Sequence, residues 1–160
     1  MSNHGDRNFL THTSPKIREV FTYWDTLRGS RPMPERADFD PLHIPRHLPG
    51  ILFIEVEGID ENGIGIYRYR VVGTTEVENR GHNPTGKLVR EGFFAGSLDS
   101  AMACYEWVRV NQTCFYEPLD FVTEDFRPVR ELSILLPFGN KDEGVTHILV
   151  YSERDEEDLR

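Results

Sequence analysis

Two cysteines in 160 residues are too few for a disulfide framework, and Cys104 and Cys114 form neither a CxxC pair nor a ligand-like cluster. Positive charge is also short: 18 Lys and Arg face 27 Asp and Glu, for a net charge of -9. Binding to phosphate backbones needs clustered cations, so nucleic acid is not an expected partner. No run approaches the roughly 18 apolar residues of a membrane-spanning helix, and the N-terminus lacks an apolar signal segment. These absences give the expectation of a cytoplasmic chain in a reducing compartment that makes no membrane contact of its own. Internal repeats and low-complexity segments are missing too. So are G-x-S-x-G, a phosphate loop and H-E-x-x-H. Without a local nucleophile or acid–base pair the chain is not expected to be an enzyme, and distant residues converging on one scaffold are the remaining route to catalysis.

Aromatic residues are plentiful, with 10 Phe, 6 Tyr and 2 Trp, enough to fill the interior of one domain. Residues 1–13 are polar, without periodicity, and read as a mobile arm. Ser14-Pro15 is an N-cap followed by proline at the first helical position. Ile17, Val20, Phe21, Trp24 and Leu27 then share one helical face, and Gly29 ends the segment. This amphipathic helix can lie across the chain's own sheet or pair with its copy; a homodimer through these five residues is the expectation. Pro32, Pro34, Pro41, Pro45 and Pro49 exclude a long helix or central strand up to residue 50. Residues 14–50 are therefore a helix and a wrapping segment, with short turns opening at Asp40-Pro41 and Ile44-Pro45 and with Leu42, Ile44 and Leu48 as anchors.

Residues 51–153 carry the main domain. Ile51–Glu57 is β-rich, and Asp60-Glu61-Asn62-Gly63 turns it into the next run. In Tyr67-Arg68-Tyr69-Arg70-Val71 a period of two places both arginines on one face and the rings on the other. Gly73 allows a sharp corner, Thr74 or Thr75 can cap the acidic segment Glu76-Val77-Glu78, and Gly81 stops it. Asn83-Pro84-Thr85-Gly86 is turn chemistry, and residues 87–96 read as irregular. Ser97 opens a helix from Leu98 to about Val110, with Leu98, Met102, Tyr105 and Val108 on one face. Three further strand runs follow: Cys114–Val122, Val129–Phe138 and Val145–Ser152. The sum is an α+β domain whose five-stranded antiparallel sheet has helices on one face and solvent on the other, ending in an acidic tail at 154–160.

This order of elements resembles the PAS domain family, in particular its bacterial stand-alone single-domain members. The residues carrying the resemblance are Tyr23-Trp24-x-x-Leu27-Arg28-Gly29, Asp40-Pro41, Arg68-Tyr69-Arg70-Val71-Val72-Gly73-Thr74 and Gly81-x-x-x-Thr85-Gly86-Lys87. It implies a sheet closed on one face by short helices and used to sense small molecules or bind proteins. A sensory or regulatory module follows, acting through a signalling protein such as a kinase or regulator. A pure interaction adaptor with a filled core is the alternative. Flavin photosensors of the family carry a reactive cysteine in an Asn-Cys-Arg motif; Asn79-Arg80-Gly81-His82-Asn83 has no thiol, so a flavin adduct is disfavoured. Haem sensors use a histidine near the covering helices, which leaves His82 as a nominal candidate, although a loop histidine is ordinarily exposed or hydrogen-bonded. The cofactor is otherwise unknown.

Candidate pocket residues are Tyr69, Phe93, Phe94, Met102 and Tyr105, with Arg70 as a carboxylate clamp. The same apolar stripe is the ordinary signature of a packed core, and strand arginines usually face solvent or pair with an acid. His147 alternates with Val145, Leu149 and Tyr151, as an inward pH-sensitive group or a satisfied core histidine. His43 and His47 are four apart, but Pro45 separates them and no third ligand is near, so no metal site is expected.

Overall fold

The computed structural model describes residues 7–92, 98–122, 126 and 128–155. The first helix, α1 (Pro15–Arg28), begins where Ser14 accepts a hydrogen bond from the Ile17 amide at 3.1 Å and stops at Gly29, whose φ is 61°. The main sheet consists of β1 (Ile51–Ile59), β2 (Gly65–Val72), β3 (Phe115–Val122), β4 (Pro128–Asn140) and β5 (Gly144–Asp155). All neighbours are antiparallel, in the order β2-β1-β5-β4-β3. Between β2 and β3 lie α2 (Thr74–Arg80), α3 (Val89–Gly92) and α4 (Leu98–Asn111). No helix among the described residues is long and apolar enough to cross a membrane.

Both faces of the sheet are covered, which corrects the expectation of one wet face. On the outer face, Ile17, Val20, Phe21 and Trp24 of α1 are buried, and the Trp24 indole donates to the Pro137 carbonyl of β4 at 2.8 Å. Leu27 packs half-buried against the same core. A strand face carrying Phe53, Phe138 and Leu149 is too apolar to remain in water, and α1 is the nearest element with a matching stripe. That stripe is consumed inside the chain, so the expected dimer through it is corrected as well.

The proline-rich segment wraps the same face through 3-10 turns at Arg36–Asp38, Pro41–His43 and Leu48–Gly50. Its anchors are Met33, Phe39 and Ile44, with the Phe39 ring 4.8 Å from that of Phe53. Leu42, an expected anchor, is 77% exposed. The polar N-terminal arm is also fixed at one point: Phe9, in a 3-10 turn at Asn8–Thr11, is buried and stacked on Tyr116 at 4.6 Å.

The inner face is closed by α2, α3 and α4. Gly73 makes the corner, donating its amide to the Ile51 carbonyl at 2.7 Å. It also occupies the N-cap position of α2 without any side-chain cap, so neither Thr74 nor Thr75 fills the capping role expected of them. Gly81, at φ 75°, ends the helix. The turn at Asn83–Gly86 then brings the chain back along the open edge of β2: the Gly86 amide donates to the Tyr69 carbonyl at 2.8 Å and the Tyr69 amide to the Lys87 carbonyl at 3.0 Å. The short helix α3 lies in the stretch read as irregular, and β5 runs on into the expected tail as far as Asp155.

Candidate functional site

One carboxylate ties α4 to the start of β2. Glu106 Oε1 accepts from the Gly65 amide at 2.7 Å and the Tyr67 hydroxyl at 2.5 Å. Arg109, one turn along, reaches both Glu106 oxygens at 3.1 and 2.6 Å. Burial alone would raise the Glu106 carboxyl, but the bonds from Arg109, Tyr67 and Gly65 outweigh it and hold the group below its ordinary value. Burial and the bond to Glu106 push the Tyr67 phenol far up. Beside this tie is a cavity of about 190 Å³ lined by Ile66, Tyr67, Leu88, Val89 and Met102, with Asp60 and Arg90 as its charged members.

Two residues along β2, the same face becomes polar. Tyr69 and Tyr105 are buried, and the Tyr105 ring lies 5.4 Å from that of Tyr67. Across the Tyr69 ring, 5.5 Å from its centroid, sits the guanidinium of Arg80, which donates from Nη1 to Glu76 Oε2 at 2.8 Å. This i,i+4 pair is nearly out of water, with side chains 6% and 12% exposed. The Tyr69 hydroxyl and Arg80 Nε are both buried. A hydrogen bond between the two lowers the phenol and raises the guanidinium. Burial pushes the Tyr69 phenol up, with Arg80 acting against it.

From the far side, β4 contributes Glu131, in register with Arg154 of β5. Burial and the nearby Glu76 raise the Glu131 carboxyl, opposed by Arg154, Ser133 and Arg80. The Ser133 and Ser152 hydroxyls bond across the same strands at 2.8 Å. The centre of the inner face thus sets two carboxylates against two guanidiniums between two tyrosines.

The candidates from sequence are split between the two faces. Tyr69, Met102 and Tyr105 belong to the inner face, while Phe93 and Phe94 lie outside the described residues. Arg70 is not at the pocket: it points out from the opposite face and pairs with Glu55 at 2.6 Å and Glu57 at 3.3 Å. His147 is on that opposite face too, stacked on Phe53 at 5.1 Å with Nδ1 2.9 Å from Thr146 Oγ1. Burial lowers its imidazole, Arg36 and Arg70 add to the effect, and Glu55 opposes it. His82 is exposed just past α2, with Nδ1 3.2 Å from the Arg80 carbonyl oxygen, and so lacks the apolar setting a haem ligand needs. His43 meets the Tyr23 hydroxyl at 2.9 Å and His47 meets Glu19 at 2.8 Å, so the two histidines serve different partners.

Sequence reasoning missed Glu76, Arg80, Glu106 and Glu131 as site residues. Glu76 and Arg80 do carry a signal, an acid–base pair at i,i+4, but that spacing ordinarily marks a solvated helix face. The inner face also bears on flavin. Among the described residues Tyr69, Tyr105 and the Glu76–Arg80 pair fill its centre. The adjoining cavity, about 190 Å³, is below the roughly 300–1,000 Å³ of typical cofactor sites. A fused three-ring group would have to displace these side chains to enter.

The sheet order, with α2 to α4 over one face, matches the fold of PAS and light-oxygen-voltage domains. The chain belongs to the PAS domain family, whose model matches residues 12–150. Among solved structures it is similar to a light-oxygen-voltage domain studied with a flavin analogue, at TM-score 0.52 and 11% identity, over 73% of this chain and 84% of that one. It is also similar to the Rhodobacter sphaeroides LOV protein, at TM-score 0.45 and 12% identity over 65% of this chain and 58% of that one. A PAS domain from Colwellia psychrerythraea gives TM-score 0.43 and 12% identity over 74% of this chain and 99% of that one. No curated protein matches the chain. At such identities the likeness speaks for the fold alone.

Proposed function

We propose that the chain is a cytoplasmic sensory or regulatory module, without catalysis of its own, that binds a small molecule on the inner sheet face and passes the event to a signalling protein such as a kinase or regulator. The observation that carries this reading is the buried polar centre itself, where the Glu76–Arg80 ion pair and the Tyr69 phenol lie out of water on the inner face, at a cost that a purely apolar core would not incur. Ligand binding can shift the module between arrangements only by its differential affinity for them, and the Glu106 tie between β2 and α4 is the joint best placed to respond.

The test is a native mass spectrum and absorption scan of freshly purified protein. Bound mass that disappears on denaturation supports the sensor. A bare chain that still retains a partner in a pull-down supports the adaptor reading, which is favoured by the near-complete burial of Tyr69 and Tyr105.

A further inference from the structure

Resting on the sensory role proposed above, we infer that the cavity beside Tyr67 takes a small α-amino acid with an apolar side chain, its carboxylate on Arg90 and its ammonium on Asp60. An engineered apolar cavity of about 150 Å³ holds benzene. The cavity here, about 190 Å³, therefore has room for a ligand of about eight or nine non-hydrogen atoms. Its floor is apolar: Tyr67 and Val89 are buried, with Leu88 and Met102 half-buried beside them. The charged members stand nearer to water, Arg90 exposed and Asp60 half-buried. Among the described residues neither has an ion-pair partner, and the Arg90 guanidinium makes no hydrogen bond. Asp60 is anchored from one side only: its Oδ1 accepts from the amides of Asn62 at 2.8 Å and Ile64 at 3.0 Å, which leaves Oδ2 for an incoming donor. An unpaired acid and an unpaired base at one cavity select a ligand that carries both charges. A simple carboxylate would meet Arg90 but be repelled by Asp60, and a simple ammonium the reverse. A zwitterion satisfies both and adds no net charge. The floor then selects a hydrocarbon side chain, since a polar group pressed against Val89 and Met102 would lose its water without gaining a bond. A ligand seated here also lies against Tyr67, whose hydroxyl is bonded to Glu106, so occupancy bears directly on the tie between β2 and α4.

The experiment titrates the full chain with L-leucine, 4-methylpentanoate and 3-methylbutylamine, which share a branched hydrocarbon and differ in charge, while carbon-edited NMR follows the Met102 methyl group. Leucine should shift that resonance saturably and bind at least about fivefold more tightly than either singly charged probe. Arg90→Gln should weaken leucine about fivefold and leave 3-methylbutylamine no weaker. Asp60→Asn, which keeps the acceptor oxygen of the turn, should weaken leucine by about the same factor and spare 4-methylpentanoate. The cavity-filling Met102→Trp should abolish leucine binding in calorimetry. Each variant is checked for an unchanged fold by its unfolding midpoint. Equal binding of the three probes, tighter binding of either singly charged one, a leucine affinity that neither charge variant changes, or a Met102 methyl that no probe shifts would each overturn the inference. The sensory role fails separately. A copurified molecule that leucine cannot displace would overturn the inference and leave that role standing, whereas a bare chain that binds none of the probes removes both.

Discussion

Gly73 leaves no room for a side chain. A Cβ there would collide with the carbonyl oxygens of Leu48 and Pro49, rigid backbone that cannot rotate away as a side chain would. Gly73→Ala is expected to cost about 2–4 kcal/mol, read as a lower denaturation midpoint; a loss below about 1 kcal/mol would mean that the Leu48–Gly50 turn yields freely. Glu106 carries a pH signature whose sign follows from its depressed carboxyl. Its contribution is complete above the ordinary carboxylate pKa of about 4.3 and is lost as pH falls through the lower folded value. The stability gap between the native protein and Glu106→Gln should therefore be widest near neutrality and close on acidification. A gap that stays constant with pH would show that the tie to Tyr67 and Gly65 does not depend on charge. His147 behaves oppositely in origin but alike in direction: its neutral form is favoured in the fold. Stability should accordingly be complete above about pH 6.5 and decline below it. His147→Gln should flatten that decline in denaturant titrations at a series of pH values.

At the scale of elements, α1 was legible from Ser14-Pro15, its apolar spacing and Gly29, and its bounds need no correction. What the pattern could not supply was the helix's destination, since an amphipathic stripe fits a sheet or a second copy equally well. The answer lay in β1, β4 and β5, where the outward positions Phe53, Phe138 and Leu149 are as apolar as the inward ones. Alternation alone gives no sign of polarity on either side. Trp24→Ala should therefore cost about 3–5 kcal/mol, since it empties a packed site and orphans the Pro137 carbonyl. Thr26→Ala, on the exposed side of the same helix, should stay within about 0.5 kcal/mol. The isolated turn around Phe9 and the four-residue helix α3 escaped the sequence because elements this short have too little periodicity to register. The polar centre escaped for another reason: Glu76 and Arg80 are paired by their spacing on α2, but Glu131 and Arg154 come from two other elements, and no local spacing announces that these meet the pair.

At the scale of the whole molecule, the question is whether residues 14–50 form a separate layer that can leave the sheet. The chain carries two tryptophans, and they report on different layers. Trp24 lies between α1 and β4, whereas Trp107 is on α4 with its ring 5.5 Å from that of Phe115. The outer layer is bound by Phe9, Ile17, Val20, Phe21, Trp24, Met33 and Phe39, all buried, and stripping it would expose an apolar sheet face to water. That cost is of the same kind as unfolding the core itself, so the two layers should lose structure together. Single-tryptophan variants, Trp24→Phe and Trp107→Phe, followed by fluorescence in urea, should give transitions whose midpoints coincide once each variant's own stability change is measured by circular dichroism. An earlier transition for Trp24 alone would mean that α1 and its wrapping segment peel off as a unit. That outcome would place a physical boundary near residue 50 and would return the apolar stripe of α1, together with Phe53, Phe138 and Leu149, to the surface as a docking face that opens only when the layer detaches.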